Sequence, residues 1–166
     1  MQARISRLLL TSFILLFCIN SLTGCTGNNG LRSIYSDNKR LTSQGDSYSF
    51  GNRIGDTKAE LTELEYSRFF GADTIFFIEV EKSGEIRIDY DSVLSKGKFK
   101  AVIISPDDEV LNVFEHEGKG DTQQGTYTLN ARPGVYRLKI VGDNATGKLK
   151  LQSNLDENMK MLTSAD

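Results

Sequence analysis

A thiol, that of Cys25, ends an apolar N-terminal stretch of this sequence. Arg4 and Arg7 give the start of the stretch a positive charge without any carboxylate, and residues 8–19 form its apolar centre. Small and polar residues then lead to Leu22-Thr23-Gly24-Cys25. This layout is typical of a secretion signal, and the apolar run is short for a membrane span. The sequence therefore predicts that the rest of the chain is exported.

The tetrapeptide Leu22-Thr23-Gly24-Cys25 resembles the lipobox of bacterial lipoproteins, which reads aliphatic, small, Gly or Ala, then Cys. The resemblance implies that residues 1–24 are a cleaved signal peptide and that Cys25 carries acyl chains of the palmitate type. The protein would then be anchored at the extracytoplasmic face of the cell membrane, or at the outer membrane of a cell that has two. The alternatives are an uncleaved anchor, or an ordinary signal followed by a chance cysteine.

Composition limits what the exported part can do. The only other cysteine, Cys18, lies within the predicted signal, so disulfides, thiolate metal sites and a cysteine nucleophile are excluded from the mature chain. Loss of Arg4 and Arg7 leaves 18 basic against 22 acidic residues, a net charge of about −4. An acidic balance gives no electrostatic footprint for nucleic acid. We therefore expect no nucleic-acid partner.

The single histidine, His116, is the main candidate for acid–base or nucleophilic catalysis. It lies between Glu115 and Glu117 at the end of a predicted strand, where neighbouring side chains point to opposite faces. One histidine is too few for a typical zinc site, and no Gly-x-Ser-x-Gly motif accompanies it. A Ser–Lys pair at Ser95-Lys96 remains open as an alternative. We predict a solvated strand end and no catalytic residue.

Carboxylates cluster at Asp89 and Asp91 and again at Asp107-Asp108-Glu109. The first pair has the same-face spacing of a strand, and the second crowds a turn. Calcium prefers carboxylate and carbonyl oxygens from loops, which makes Asp107, Asp108 and Asp143 weak candidates for ligands. The spacing of an EF-hand is missing, and we interpret these residues as solvated turn acids. No metal and no cofactor are expected.

From Ser47 onwards, alternating apolar and polar residues predict β-strands. Ile88 belongs to one such apolar stripe, and Tyr136 and Leu138 belong to another. The runs 74–78 and 101–104 are apolar on both faces, which suits central strands and places Ile103 in the core. Turn residues separate the strands at short intervals, so the pattern predicts an all-β, antiparallel sandwich of about eight strands.

Three segments are harder to interpret. Residues 57–70 could form a capped helix or a strand, and we favour the strand because β structure follows. Residues 25–46 are predicted to be the lipidated cysteine and a flexible tether, with docking of Ser33-Ile34-Tyr35 as the alternative. Residues 47–153 are predicted to form the sandwich. Residues 154–166 would be a polar tail, either frayed or one short helix.

The domain's motifs are similar to those of exported jelly-roll sandwiches of the pre-peptidase C-terminal or carbohydrate-module kind. The motifs are Tyr66…Phe69-Phe70-Gly71, Ile86-x-Ile88, Gly97-x-Phe99-x-Ala101, Ser105-Pro106-Asp107, Gly134-x-Tyr136-x-Leu138 and Gly147-x-Leu149-x-Leu151.

The resemblance implies a non-catalytic binding or envelope-interaction domain, whose partner is an envelope protein or a cell-surface polysaccharide. The alternative is a small hydrolase, or a hydrolase accessory domain, acting on a cell-surface polymer. The chain has no tryptophan, so a stacking platform for sugars is not evident.

Overall fold

The computed structural model describes residues 28–58 and 61–163, so the predicted signal peptide and Cys25 lie outside the described residues. Within these ranges, no helix is long and apolar enough to cross a membrane. The elements in chain order are α1 (Asn29–Arg32), a 3₁₀ turn (Ser33–Ser36), α2 (Asn38–Leu41), β1 (Ser47–Ser49), β2 (Asn52–Thr57), β3 (Leu61–Val80), β4 (Gly84–Ile104), β5 (Val110–Glu115), β6 (Thr122–Ala131), β7 (Gly134–Leu155) and β8 (Met159–Thr163).

The strands form an antiparallel sheet in which β3, β7 and β4 are neighbours and each is about 20 residues long. All three bend at the same level, near Arg68, Gly97 and Asn144, where the pairing registers shift. These residues have positive φ, and a Cβ on Gly97 would clash with the Asn144 carbonyl oxygen. Bulges and positive φ bend strands sharply, so one sheet folds into two layers.

We call these layers leaf 1 and leaf 2. Leaf 1 contains β2, β6 and residues 61–67, 84–94 and 147–155 of the three long strands. Leaf 2 contains β1, β5, β8 and residues 69–80, 98–104 and 134–145. The predicted all-β antiparallel sandwich is therefore confirmed.

The main core fills the space between the leaves. Ile88 comes from leaf 1, while Ile103, Tyr136 and Leu138 come from leaf 2, and all four are buried in one cluster as the alternation predicts. Aromatic rings fill its centre: Tyr66 stacks on Phe99 with 4.7 Å between ring centroids. Burial of this apolar surface is the main force that holds the leaves together.

A second, smaller core lies on the outer face of leaf 2, where the N-terminal segment (residues 28–46) packs. Ile34, Tyr35 and Leu41 are buried there against Val102 and Val141. The prediction of a flexible tether is wrong for residues 28–46, and the docking alternative is the correct one. A few apolar side chains suffice because leaf 2 offers them an apolar outer face. This cover also explains why run 101–104 is apolar on both faces, since Val102 and Ile104 lie in this second core.

Two other predictions are resolved by the strand boundaries. Residues 61–70 belong to β3 and residues 52–57 to β2, so the strand interpretation of this region is confirmed. The tail is neither frayed nor helical up to Thr163, because Met159–Thr163 forms β8 and pairs with β3. Buried Met159 joins the main core and holds the strand there.

Candidate functional site

The outer face of leaf 1 carries the polar residues that alternate with its core residues. On β7, Lys148 and Lys150 point outward while Leu149 and Leu151 are buried, as the period of two requires. We define the polar face of leaf 1 by the outward side chains of five adjacent strands: Ile54, Glu63, Glu65, Asp89, Asp91, Val93, Gln124, Thr126, Lys148, Lys150 and Gln152. In contrast to leaf 2, no other segment in residues 28–58 and 61–163 covers this face.

Two open clefts make a continuous groove across the polar face. One, of about 400 Å³, lies over β2, β3, β7 and β4 and includes Ile54, Glu65 and Val93 in its lining. The other, of about 460 Å³, lies over β7, β4 and β6 and includes Gln124. They share Asp91 and Lys150, so the groove runs across the strands from β2 to β6.

Charges of both signs alternate along the groove. Lys150 Nζ lies 3.0 Å from Glu63 Oε1, and Lys148 Nζ lies 3.1 Å from Glu65 Oε1. Each of these four side chains is more than half exposed, so the pairs contribute little to stability. These ion pairs instead position hydrogen-bond donors and acceptors along the groove.

Hydrogen bonds fix the far end of the groove at Asp89. Thr126 Oγ1 donates to Asp89 Oδ1 at 2.5 Å, and Asn154 Nδ2 donates to Asp89 Oδ2 at 3.0 Å. The Thr126 hydroxyl is the main reason that the pKa of Asp89 lies below its usual value, and Arg87 adds to the effect. The Asp89 carboxyl therefore stays ionised and accepts hydrogen bonds.

The polar face presents no aromatic ring among the described residues. Tyr90 and Tyr127 lie on the strands of leaf 1 but are half-buried against the main core, and Tyr90 stacks on Phe114. Apolar contact on the face comes instead from Ile54 and Val93, with relative exposures of 57% and 40%. A ligand here would be held mainly by hydrogen bonds, with two aliphatic contacts.

His116 lies away from this groove, and the prediction that it is a solvated strand end is wrong. Its side chain is fully buried between Phe99 and Phe114. His116 Nε2 is 2.8 Å from Ser92 Oγ, and Nδ1 is 3.3 Å from Asp121 Oδ2 without the alignment of a hydrogen bond. The three residue types are those of a serine-hydrolase triad.

Burial separates this triad from any substrate. Ser92 is 1% exposed, and its hydroxyl also lies within 3.2 Å of the Lys148 carbonyl oxygen. Neither Ser92 nor His116 lines the groove described above. Sequence reasoning missed the burial of His116. A signal was present, because alternation along the strand places His116 on the same face as the apolar Phe114. In the structure, the loop of residues 117–121 folds back and closes over both. Gly120 N donates to Leu94 O at 2.7 Å there.

The weak calcium candidates do not converge. Asp107 pairs with Arg132, and Asp108 lies 2.7 Å from Arg137 Nη2. Asp143 lies further along β7, 3.6 Å from Arg32 Nε. Within the described ranges, no group of three or more His, Cys, Asp or Glu side chains is arranged to hold a metal ion. Each of these three carboxylates instead faces an arginine.

Searches among known proteins find similar solved structures but no family. No family model matches the chain, and no curated protein matches it. Among solved structures, the carbohydrate-binding module CBM6cm-2 from Cellvibrio mixtus lichenase 5A, in complex with cellotriose, is similar at 15% identity, covering 71% of this chain and 95% of that one with a TM-score of 0.37.

Other solved structures show a similar level of likeness. A CBM4 structure is similar at 10% identity, with 72% and 79% coverage and a TM-score of 0.39. Murine APRIL is similar at 14% identity, with 67% and 100% coverage and a TM-score of 0.34. The function of this chain therefore has to be inferred from its own geometry.

Proposed function

We propose that this protein is a non-catalytic binding module, held at the extracytoplasmic face of a membrane through Cys25, and that the polar face of leaf 1 binds a polysaccharide. The observation that carries the proposal is the groove itself. It crosses five strands, it is open to solvent, and ion pairs and hydrogen bonds fix the side chains that line it.

The chemistry of the groove suits a chain of hydroxyl groups. Lysine ammonium groups donate hydrogen bonds, carboxylates accept them, and the Gln124 and Gln152 amides do both. Alternating donors and acceptors match sugar hydroxyls, which also donate and accept. Ile54 and Val93 supply the apolar contact that the faces of sugar rings need. An extended polymer can lie along the groove because the groove crosses five strands and is open to solvent.

Binding without hydrolysis fits the ionisation of the groove better than catalysis. A glycosidase needs one carboxyl that stays protonated near neutral pH, which requires a raised pKa. The pKa of Asp89, a carboxyl of the groove, is displaced downward, opposite to what a general acid requires. Ser92 and His116 of the Ser92–His116–Asp121 cluster are buried away from the groove, so the cluster supports the stability of the fold rather than a reaction there.

The binding proposal is tested by affinity electrophoresis through gels that contain cell-surface and plant polysaccharides. The variant Glu63→Ala/Lys150→Ala removes an exposed ion pair from the groove. Its control, Glu81→Ala/Lys160→Ala, removes an ion pair of similar length and exposure outside the groove. We expect at least one polysaccharide to retard the wild type and the control, and to retard the groove variant much less. Equal retardation of both variants, or no retardation of the wild type, would contradict the proposal.

The anchor is tested separately by Cys25→Ala. Two or more acyl chains hold a protein stably on a membrane, whereas none of the charge or apolar surface described above would replace them. We expect the variant to move from the membrane pellet to the soluble or secreted fraction. A variant that still needs detergent for release would contradict anchoring through Cys25.

A further inference from the structure

A basic patch lies on the opposite side of the sandwich from the groove, around the N-terminal segment. Its members are Arg32, Lys39, Arg40, Lys98 and Lys100, with Lys96 at the adjoining bend of β4, and all but the half-buried Lys100 are exposed. The whole chain has a net charge of −2. A concentration of six cations at one place on an acidic protein is therefore a local feature of the fold.

Contacts of the N-terminal segment bring several of these side chains together. Arg40 Nη1 donates to the Gly30 carbonyl at 2.6 Å and to Ser33 Oγ at 2.8 Å. The Tyr35 ring lies beneath two lysines of β4, with Lys100 Nζ at 4.8 Å and Lys98 Nζ at 5.8 Å from its centroid. Residues distant in sequence thus form one surface.

The carboxylates nearest the patch already have partners. Asp37 accepts a hydrogen bond from Arg40 N at the start of α2, and Glu115 accepts one from the Tyr35 hydroxyl. Asp143 pairs with Arg32. These three acids offset only half of the six cations. The patch therefore keeps a positive excess that is available to an anionic partner.

The position of Cys25 indicates which partner this is. Only Thr26 and Gly27 separate Cys25 from Asn28, where the described structure begins. Three peptide units reach at most about 11 Å, so an acylated Cys25 would hold the start of α1 within about one Debye length of the lipid headgroups. The docked N-terminal segment leaves no long tether that would let the domain move further away.

We infer that the basic patch docks on anionic phospholipid headgroups of the membrane that holds Cys25, an inference that rests on the proposed anchor. Clusters of Lys and Arg next to a membrane anchor are attracted to anionic lipid over a distance of about a Debye length. The patch lies with the N-terminal segment on the outer face of leaf 2, whereas the groove lies on the outer face of leaf 1. Docking through the patch therefore turns the groove away from the lipid and toward the surrounding polymer.

The test uses the full lipidated protein in two kinds of vesicle, one of phosphatidylcholine alone and one with about a third phosphatidylglycerol. Lysines are acetylated briefly and quantified by mass spectrometry. We expect acetylation of Lys39, Lys96 and Lys98 to be about fivefold slower on the anionic vesicles, and about 1 M salt to abolish the difference. Lys148 and Lys150, on the groove side, serve as internal controls and should react equally on both vesicles.

A pair of charge variants strengthens the test. Lys39→Glu/Lys98→Glu reverses two charges in the patch. Lys119→Glu/Lys150→Glu makes the same change in net charge elsewhere. In the patch variant we expect the remaining Lys96 to lose its protection, while the control variant keeps it. Thermal melts of both variants verify that each is folded.

The outcomes separate this inference from the anchor proposal. Protein that is retained on vesicles but acetylated equally on both kinds overturns the docking inference and leaves the anchor intact. Equal protection of the patch lysines from acetylation on both vesicles also overturns it. The cause would then be the closeness of the patch to the membrane and not the charge of the lipid. Protein that is not retained by either vesicle overturns the anchor, and the docking inference with it.

Discussion

Strand β7 contributes lysines to the outer faces of both leaves, but the side chains are exposed on one face and buried on the other. Lys148 and Lys150 of leaf 1 are 70% and 53% exposed, whereas the side chain of Lys139 in leaf 2 is 1% exposed. Lys139 Nζ is held by Asp46 Oδ1 and by the Ser43 carbonyl, each at 3.0 Å. The N-terminal segment makes this difference because it covers leaf 2 and leaves leaf 1 open.

The comparison separates two uses of charge. A buried lysine without partners would carry a large desolvation cost, so the covered face has to supply acceptors for Lys139. The nearby Arg137 shows the same arrangement, since its guanidinium donates to the Thr42 and Ser43 carbonyls at 2.9 Å. The open face needs no such compensation because water solvates its ions. Charge on leaf 2 therefore specifies how the segment docks, while charge on leaf 1 is free to bind a ligand.

The largest expected effect is on the apolar contact that holds the N-terminal segment. Leu41 is fully buried, so Leu41→Ala should reduce the free energy of unfolding by about 2–5 kcal/mol, as for other buried leucines. Ile54→Ala on the open face should change it by less than about 0.5 kcal/mol. Urea denaturation measures both. Similar losses in the two variants would mean that the segment does not cover leaf 2 as described.

A smaller loss is expected for the ionic contact of the same segment. Asp46 accepts from Lys139 Nζ, Thr74 N and Thr74 Oγ1, so Asp46→Ala leaves a buried ammonium group without its carboxylate. Because Asp46 is 22% exposed, we expect the free energy of unfolding to fall by about 2 kcal/mol. Breaking a fully buried ion pair would cost about 3–5 kcal/mol. Glu63→Ala, which frees exposed Lys150, should cost at most about 1 kcal/mol. Denaturation curves that rank the two variants in the reverse order would contradict this explanation.

A pH effect is expected from His116, in the core between the leaves. Burial lowers the pKa of His116, so the folded state binds a proton less readily than the unfolded chain does. Stability from this residue is therefore fully present above the ordinary histidine pKa of about 6.5 and is lost as the pH falls below it. Thermal melts from about pH 7.5 downward should show a decline that His116→Gln reduces.

The comparison with His116→Gln is necessary because Asp73 titrates in the same range with the opposite sign. Burial raises the pKa of Asp73 to about 6, so its folded form binds a proton more readily and gains stability as the pH falls. The wild type and the His116→Gln variant both contain Asp73. The difference between their melts therefore isolates the contribution of His116 to the pH dependence. A decline of the same size in both proteins would show that His116 is not its source.

The groove variant is also expected to change stability little. Glu63→Ala/Lys150→Ala should leave the free energy of unfolding within about 1 kcal/mol of the wild type, because both side chains are more than half exposed. The same variant is expected to lose polysaccharide binding. A loss of binding that came with a large loss of stability would assign this ion pair to the fold rather than to the ligand.

Much of the fold could be predicted from the sequence, because alternation along a strand decides which side chains face the core. Ile88, Ile103, Tyr136 and Leu138 are buried together as their spacing predicts. The charges of the polar face follow from the same alternation. Their gathering into a groove does not, since it depends on which strands become neighbours.

The bends near Gly97 and Asn144 illustrate the limit of local pattern. Gly142-Asp143-Asn144 suggests a turn that ends a strand, yet β7 continues through it to Leu155 and only bends. A residue with positive φ can end a strand or bend it, and pairing on both sides decides between the two. Here β3 and β4 keep β7 extended on both sides of the bend.

The sequence by itself determined the type of sandwich, its core stripes and the predicted lipid-modification motif at Cys25. Tertiary structure decided which outer face is open. The apolar residues of the N-terminal segment are too few and too irregularly spaced to predict that it docks; they are Ile34, Tyr35 and Leu41. It also decided the burial of His116, which depends on the loop of residues 117–121 returning to Leu94. In both cases the deciding contacts join residues far apart in the chain. Local periodicity places His116 on the same strand face as Phe114, but it carries no information about the loop contact that closes over them.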